Sequence, residues 1–182
     1  LPKTDLHVHL DGSLRLQTIL DLAQEQGIAL PGMTLETLAP HVQVGDDCKS
    51  LVEYLKAFDV TLKVMQTEQA LFRTAYELAE DSAKENVRYL EVRYCPMLHQ
   101  EKGLSLTTIV QAVIDGLRAA EKNYPIKTGV IICGIRHISP EISLKLADLA
   151  VAFKNKGVVG FDLAGAEENF PAKKHREAFG RV

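Results

Sequence analysis

Four short apolar runs punctuate the chain, Asp5 to Leu10, Val87 to Tyr94, Thr128 to Ile135 and Val158 to Leu163. Each is rich in β-branched residues and ends near a glycine or proline, which reads as a strand. Between them the apolar positions recur at helical spacing. Leu106, Ile109, Val110, Val113 and Leu117 line one face, and Leu146, Leu149, Ala150 and Phe153 line another. The boundary signals agree: Ser50 with Glu53 makes a capping box, Ser139-Pro140 suits an N-cap and first helical position, and Gly27 and Gly157 follow helical stretches. Strands that are apolar throughout and alternate with helices predict a parallel sheet covered on its outer side, either doubly wound or closed into a barrel. Four strands make a small open sheet or about half of a β/α barrel, since a full barrel typically needs about 250 residues.

The connection from the first strand to the second, Gly12 to Asn86, holds three helical stretches where one would suffice. It reads as an insertion that covers one end of the sheet as a lid. No repeat, low-complexity tract or linker breaks the 182 residues, so residues 1–182 are read as one domain. The chain opens on Leu1, and Ala178 to Val182 have the character of a helix interior, so both ends are expected to be cut.

Composition narrows the classes of partner. A 46% hydrophobic fraction and a 25% charged fraction suit a soluble globular chain that buries a core. The net charge of -3, with scattered lysines and arginines, offers no field for a phosphate backbone, so nucleic acid is not an expected partner. Cys48, Cys95 and Cys133 are odd in number and widely spaced, with no C-x-x-C pattern, which fits a reducing, cytoplasmic compartment. No apolar run approaches the roughly 20 residues of a membrane span, and no charged segment followed by an apolar one opens the chain, so no membrane is expected.

The candidate chemistry begins at His7-Val8-His9, at the end of the first strand, where alternation turns both imidazoles to one side. A catalytic zinc needs three protein ligands and an open position, so this pair is half of such a site. Asp11 and Gly12 follow at once, placing a carboxylate and a flexible turn at the mouth where barrel ligands bind. His41, His99, His137 and His175 have no partner at ligand spacing and read as structural or surface, with His137 nearest to the carboxyl end of a strand. Glu91 and Arg93, two apart on one strand and facing one side, read as an ion pair buried inside the barrel, with a direct substrate contact as the alternative. Gly160 to Glu167 ends the fourth strand with small residues that let a ligand approach the backbone, while Tyr54, Leu55 and Phe58 form an apolar ridge in the insertion. No dinucleotide-binding or phosphate-binding glycine loop, serine-hydrolase elbow or cytidine-deaminase zinc pattern occurs.

Taken together, P-K-T-D-L-H-V-H-L-D-G-S-L at Pro2 to Leu14, Y-L-E-V-R-Y-C-P at Tyr89 to Pro96 and G-F-D-L-A-G-A-E at Gly160 to Glu167 closely resemble the adenosine deaminase family. The resemblance runs in order along nearly the whole chain and implies a zinc-bearing β/α barrel, of which about the first half is here. It implies that His7 and His9 are zinc ligands and that His9 also lies near the substrate. It further implies that Asp11 binds the ribose end of a purine nucleoside, that Gly165 meets the purine through its backbone, and that Tyr54, Leu55 and Phe58 are an apolar lid. The family's later H-A-G-E segment, a further histidine and a T-D-D segment, which carry the catalytic glutamate and the remaining ligands, do not occur in this sequence. No general acid or base is therefore assigned to any residue present. The implied reaction is hydrolytic: zinc lowers the pKa of water towards about 7, and the activated water attacks the amino-bearing carbon of the purine. The expected substrates are adenosine and deoxyadenosine. Related adenine deaminases tend to carry Glu where Asp11 stands, which makes an aminopurine deaminase the alternative, and a non-catalytic truncated module the alternative of another class.

Overall fold

The structure is a computed structural model that describes residues 1–45, 48, 50 and 54–182. Four strands form, β1 (Lys3–His9), β2 (Val87–Tyr94), β3 (Lys127–Ile135) and β4 (Val158–Ala164), within a residue or two of the apolar runs. They join one sheet in the order β1-β2-β3-β4, and every neighbouring pair is parallel. A doubly wound sheet reverses its strand order at a switch point, whereas strands laid down consecutively in one direction build the wall of a barrel. The open choice is thereby decided, and the chain forms the first four strands of a β/α barrel.

The middle and carboxyl-end positions of the outer faces of β2 and β3 carry large, mostly apolar side chains. Leu90, Val92, Tyr94, Val130 and Ile132 are all buried under the crossover helices. Helix α5 (Leu106–Asn123) joins β2 to β3 and buries Ile109, Val110, Val113 and Leu117, the stripe that the periodicity marks out. Helix α6 (Pro140–Phe153) joins β3 to β4 and buries Leu146, Ala150 and Phe153, with Ser139 as N-cap and Pro140 in its first turn. Each such apolar side chain contributes about 1.5–3 kcal/mol when fully removed from water. The last helix, α7 (Arg176–Arg181), is tied to the sheet by the buried His175, whose Nδ1 lies 2.8 Å from the Ser143 hydroxyl and whose Nε2 lies 3.1 Å from the Arg136 carbonyl. Ser143 is itself buried, and the Arg136 carbonyl accepts from Nε2–H, so His175 is a structural link between α6 and the exit of β3.

The insertion after β1 differs from the three-helix expectation. Among the described residues it holds four helices, α1 (Leu16–Gln26), α2 (Leu35–Val42), α3 (Phe58–Val64) and α4 (Glu68–Lys84). Capping is the physical reason, because Thr34 and Thr67 each turn their side chain onto the first turn that follows, accepting from Thr37 N and Ala70 N. Thr67 thus separates α3 from α4. Gly27 ends α1 in the left-handed region at φ 65, as its position suggests. The expected Ser50–Glu53 capping box depends on Glu53, which lies outside the described residues. Helix α4 packs against α5 and β2 and is the crossover proper, while α1 is fastened to it by polar contacts such as Arg15 Nε to Asp81 at 2.8 Å and Arg73 Nη2 to Asp21 at 2.7 Å. Among the described residues no helix is long and apolar enough to cross a membrane.

Candidate active site

Strand β1 delivers its last residues to the mouth of the barrel through fixed backbone contacts. Leu10 N donates to Arg93 O at 3.0 Å, carrying the β1–β2 pairing one residue past the strand, and the Leu10 side chain is fully buried. A turn follows at once, with Ser13 N bonded to Leu10 O and Ser13 Oγ donating to His9 O at 2.5 Å. With Leu10 pinned, alternation leaves His7 and His9 on the inner side, their rings 5.4 Å apart between centroids. Phe58, at the start of α3, stands edge-on to His9 at 6.0 Å and to Tyr54 at 5.6 Å. Gly12 makes this approach possible, since a Cβ there would stand 3.2 Å from the Phe58 ring.

The electrostatics of this corner favour uncharged forms. Burial, then the Arg93 charge, then His7 push the pKa of His9 down to about 4, so its ring is neutral at physiological pH with a lone pair to donate. Burial pushes the Asp11 carboxyl up to about 6, and its Oδ1 is buried without a hydrogen-bond partner. Asp11 Oδ1 lies 4.0 Å from His9 Nδ1, beyond hydrogen-bonding reach. An unsatisfied buried carboxylate oxygen is costly unless a ligand donor completes it. Asp11 also lines a cleft of about 500 Å³ together with Leu14, Ile19, Tyr54, Phe58 and Thr61.

Arg93 is placed differently from expectation. Glu91 does not pair with it; its carboxylate accepts instead from the Tyr89 hydroxyl at 2.8 Å. Arg93 contacts Asp162 on β4, and its Nη1 lies 3.1 and 2.9 Å from Nδ1 and Nε2 of His7. The register explains the change of partner: Arg93 is level with His9 and Ile131, and Asp162 is level with Cys133, so a long side chain on β2 reaches across β3 to β4. Residues two apart on one strand diverge along it, and the cross-strand carboxylate wins.

At the far side of the mouth, Gly165 leaves β4 at φ +96, and a Cβ there would press on Ile135 at 3.2 Å and approach His137 Nδ1 at 3.7 Å. Arg136 Nη2 donates to Glu167 at 2.6 Å, and the His137 ring stands edge-on to Phe170 at 6.0 Å, so the β3 exit holds the β4 exit loop in place.

A family model described as adenosine deaminase matches residues 2–182. The chain belongs to the adenosine deaminase family. An adenosine deaminase of Clostridium botulinum is 47% identical over 174 residues, covering 95% of this chain and 53% of that protein. Among solved structures, an adenine deaminase from Arthrobacter aurescens superposes with a TM-score of 0.86 at 28% identity, covering 99% of this chain and 54% of the other. The N6-methyl-AMP deaminase of Arabidopsis thaliana superposes with a TM-score of 0.81 at 31% identity, again over 99% of this chain and 54% of the other. The chain thus spans about half the length of these three relatives.

Against the adenosine deaminase family reading, the structure brings His7, His9, Asp11, Tyr54 and Phe58 into one corner and places Gly165 at the exit of β4. Leu55 is half-buried and is not among the residues lining the cleft beside Asp11. As a test of fit for zinc, His7 and His9 offer two imidazoles on one face, the donor chemistry that zinc takes. Among the described residues no three His, Cys, Asp or Glu side chains converge on one point, so these two fit as a half-site. Sequence reasoning missed the Arg93–Asp162 contact and the Arg136–Glu167 clamp. Asp162 and Glu167 both stood in a marked segment, but nothing local names a partner more than 30 residues away.

Proposed function

We propose that the full-length protein is a zinc-dependent adenosine deaminase, which hydrolyses adenosine and deoxyadenosine to inosine or deoxyinosine and ammonia. The observation that carries this reading is the corner at the end of β1, where two imidazoles 5.4 Å apart stand beside the buried Asp11 and under Phe58. His7 and His9 would hold the zinc from one side, and the remaining ligands would come from the part of the protein beyond these residues. A bound zinc supplies the Lewis acid that makes water nucleophilic near neutral pH.

The residues of this chain bind and orient. Asp11 accepts a hydroxyl donor from the ribose end of the nucleoside, which satisfies its orphaned Oδ1. Gly165 presents its backbone to the purine, and no side chain blocks the approach. Tyr54, Leu55 and Phe58 close over the nucleoside and exclude water, with Leu55 joining when the lid closes. Overall, water adds at the amino-bearing carbon and the amino group leaves as ammonia. The small-molecule partner is a purine nucleoside, and the three unpaired cysteines support a cytoplasmic setting.

The test is ultraviolet absorbance of adenosine with the full-length gene product, before and after chelation and with zinc restored. Zinc-dependent conversion is expected. A protein loaded with zinc that leaves adenosine untouched overturns the reading. The adenine deaminase and N6-methyl-AMP deaminase among the structural relatives make adenine and N6-methyl-AMP the competing substrates for the same assay.

A further inference from the structure

Arg93 takes no part in the function just proposed, yet it is the one buried lysine or arginine among the described residues. Its guanidinium lies between two groups, with Nη1 at 3.1 and 2.9 Å from the ring nitrogens of His7 and Nη2 against the Asp162 carboxylate. The side chain therefore ties β1 to β4, passing over Cys133 of β3.

A histidine that ligates a metal ordinarily hands its second N–H to an acceptor, such as a carboxylate or a carbonyl. Arginine cannot play that part. It carries five donors, no acceptor and a permanent charge. Left alone, the guanidinium would set a positive charge 2.9 Å from an imidazole that is to hold a divalent cation, where like charges repel. Asp162 is the one carboxylate in contact with it among the described residues.

We propose that Arg93 and Asp162 form a positioning unit for the metal half-site. Asp162 cancels the guanidinium charge so that a divalent cation is tolerated at His7 and His9, and it holds the guanidinium beside the ring nitrogens so that the His7 ring keeps its orientation. The inference rests on the zinc reading above. It makes Asp162 and Arg93 unequal: losing the carboxylate leaves an unbalanced cation beside the half-site, whereas losing both leaves none.

The experiment measures zinc affinity of the full-length gene product by competition with a chromophoric chelator at neutral pH, for the unsubstituted protein, Asp162→Asn, and Arg93→Met with Asp162→Asn. Asp162→Asn is expected to weaken zinc binding about 10–100-fold, the range seen for outer partners of metal ligands. The double variant is expected to recover at least half of that loss on a logarithmic scale. A double variant that binds zinc no better than the single one overturns the proposal. So does Asp162→Asn binding zinc as tightly as the unsubstituted protein, which leaves the deaminase reading standing. An unsubstituted protein that binds no zinc overturns both. Should Asp162→Asn fail to fold, Arg93→Lys carries the test. Its ammonium keeps the charge balance but cannot fork between two partners, so zinc is expected to be held several-fold more weakly, and unchanged affinity overturns the proposal.

Discussion

On the outer face of the insertion, Arg15 and Arg73 share the carboxylates of Asp21, Glu25, Glu77, Glu80 and Asp81, with their own side chains 35% and 34% exposed. Inside the sheet, Arg93 is 9% exposed and has one carboxylate, Asp162. The outer cluster has far more ion pairs and should matter far less. Exposed pairs gain little because water and salt already screen them, while a buried cation has no substitute for its partner. Glu80 illustrates the sharing: it is half-buried, and hydrogen bonds from Tyr124 and Arg15 pull its pKa down to about 2, but Lys84 also pairs with it, so it does not depend on one partner.

Four substitutions test this contrast. The largest effect is expected from Asp162→Asn, which strands Arg93. In urea titrations with chelator present it should cost about 3–5 kcal/mol, and adding Arg93→Met should return part of it. A cost under about 1 kcal/mol would put the inner pair in the class of the outer ones.

Second comes His99, which is fully buried, with Nδ1 3.0 Å from Met65 O and Nε2 unpartnered. Burial pushes its pKa down to about 4, from 6.5. As pH falls below 6.5 the unfolded chain takes up a proton that the folded one refuses, so stability drops between pH 6.5 and 4 and levels off below. The loss should reach about 3 kcal/mol at most, and His99→Gln should flatten that slope in pH-dependent melts.

Third, Asp11 has the opposite sign. Its folded pKa is raised from 3.8 to about 6, so its contribution is full below pH 3.8 and is lost as pH rises through 6. At neutral pH the fold carries an ionised carboxylate in a dry place. Asp11→Asn should therefore stabilise the chelated protein by about 1–2 kcal/mol at pH 7 while it weakens nucleoside binding. A lower melting temperature would show that the carboxylate is better solvated than its burial suggests.

The smallest effect belongs to Arg73→Met, expected to cost less than about 1 kcal/mol and to vanish in high salt. A larger, salt-insensitive loss would mean that the outer network acts as a buried unit.

Much of this architecture was open to reading in the residues themselves. The four strands fall where β-branched runs end at turns, and the α5 stripe from Ile109 to Leu117 is buried as its spacing requires, because both periods are local properties of the chain. His7 and His9 share a face for the same reason. The Glu91–Arg93 pair failed because strand neighbours are not chosen by sequence distance: Arg93 found its carboxylate on β4, 69 positions on, which is visible only once register is known. Among the described residues the insertion holds one helix more than its periodicity suggests, because the Thr67 cap within an otherwise helical stretch looks like one more polar helix residue.

The amino-acid order by itself determined the alternation of strand and helix, the apolar outer layer, and the two imidazoles and carboxylate carried on one strand end. All of these rest on spacings of two to four residues. Three features arise on folding alone: the sheet runs in barrel order, Phe58 folds down onto Gly12 and His9, and Arg93 joins His7 to Asp162. Each of those joins residues far apart in the chain, and long-range pairing is settled by which groups can be desolvated together once the strands are in register.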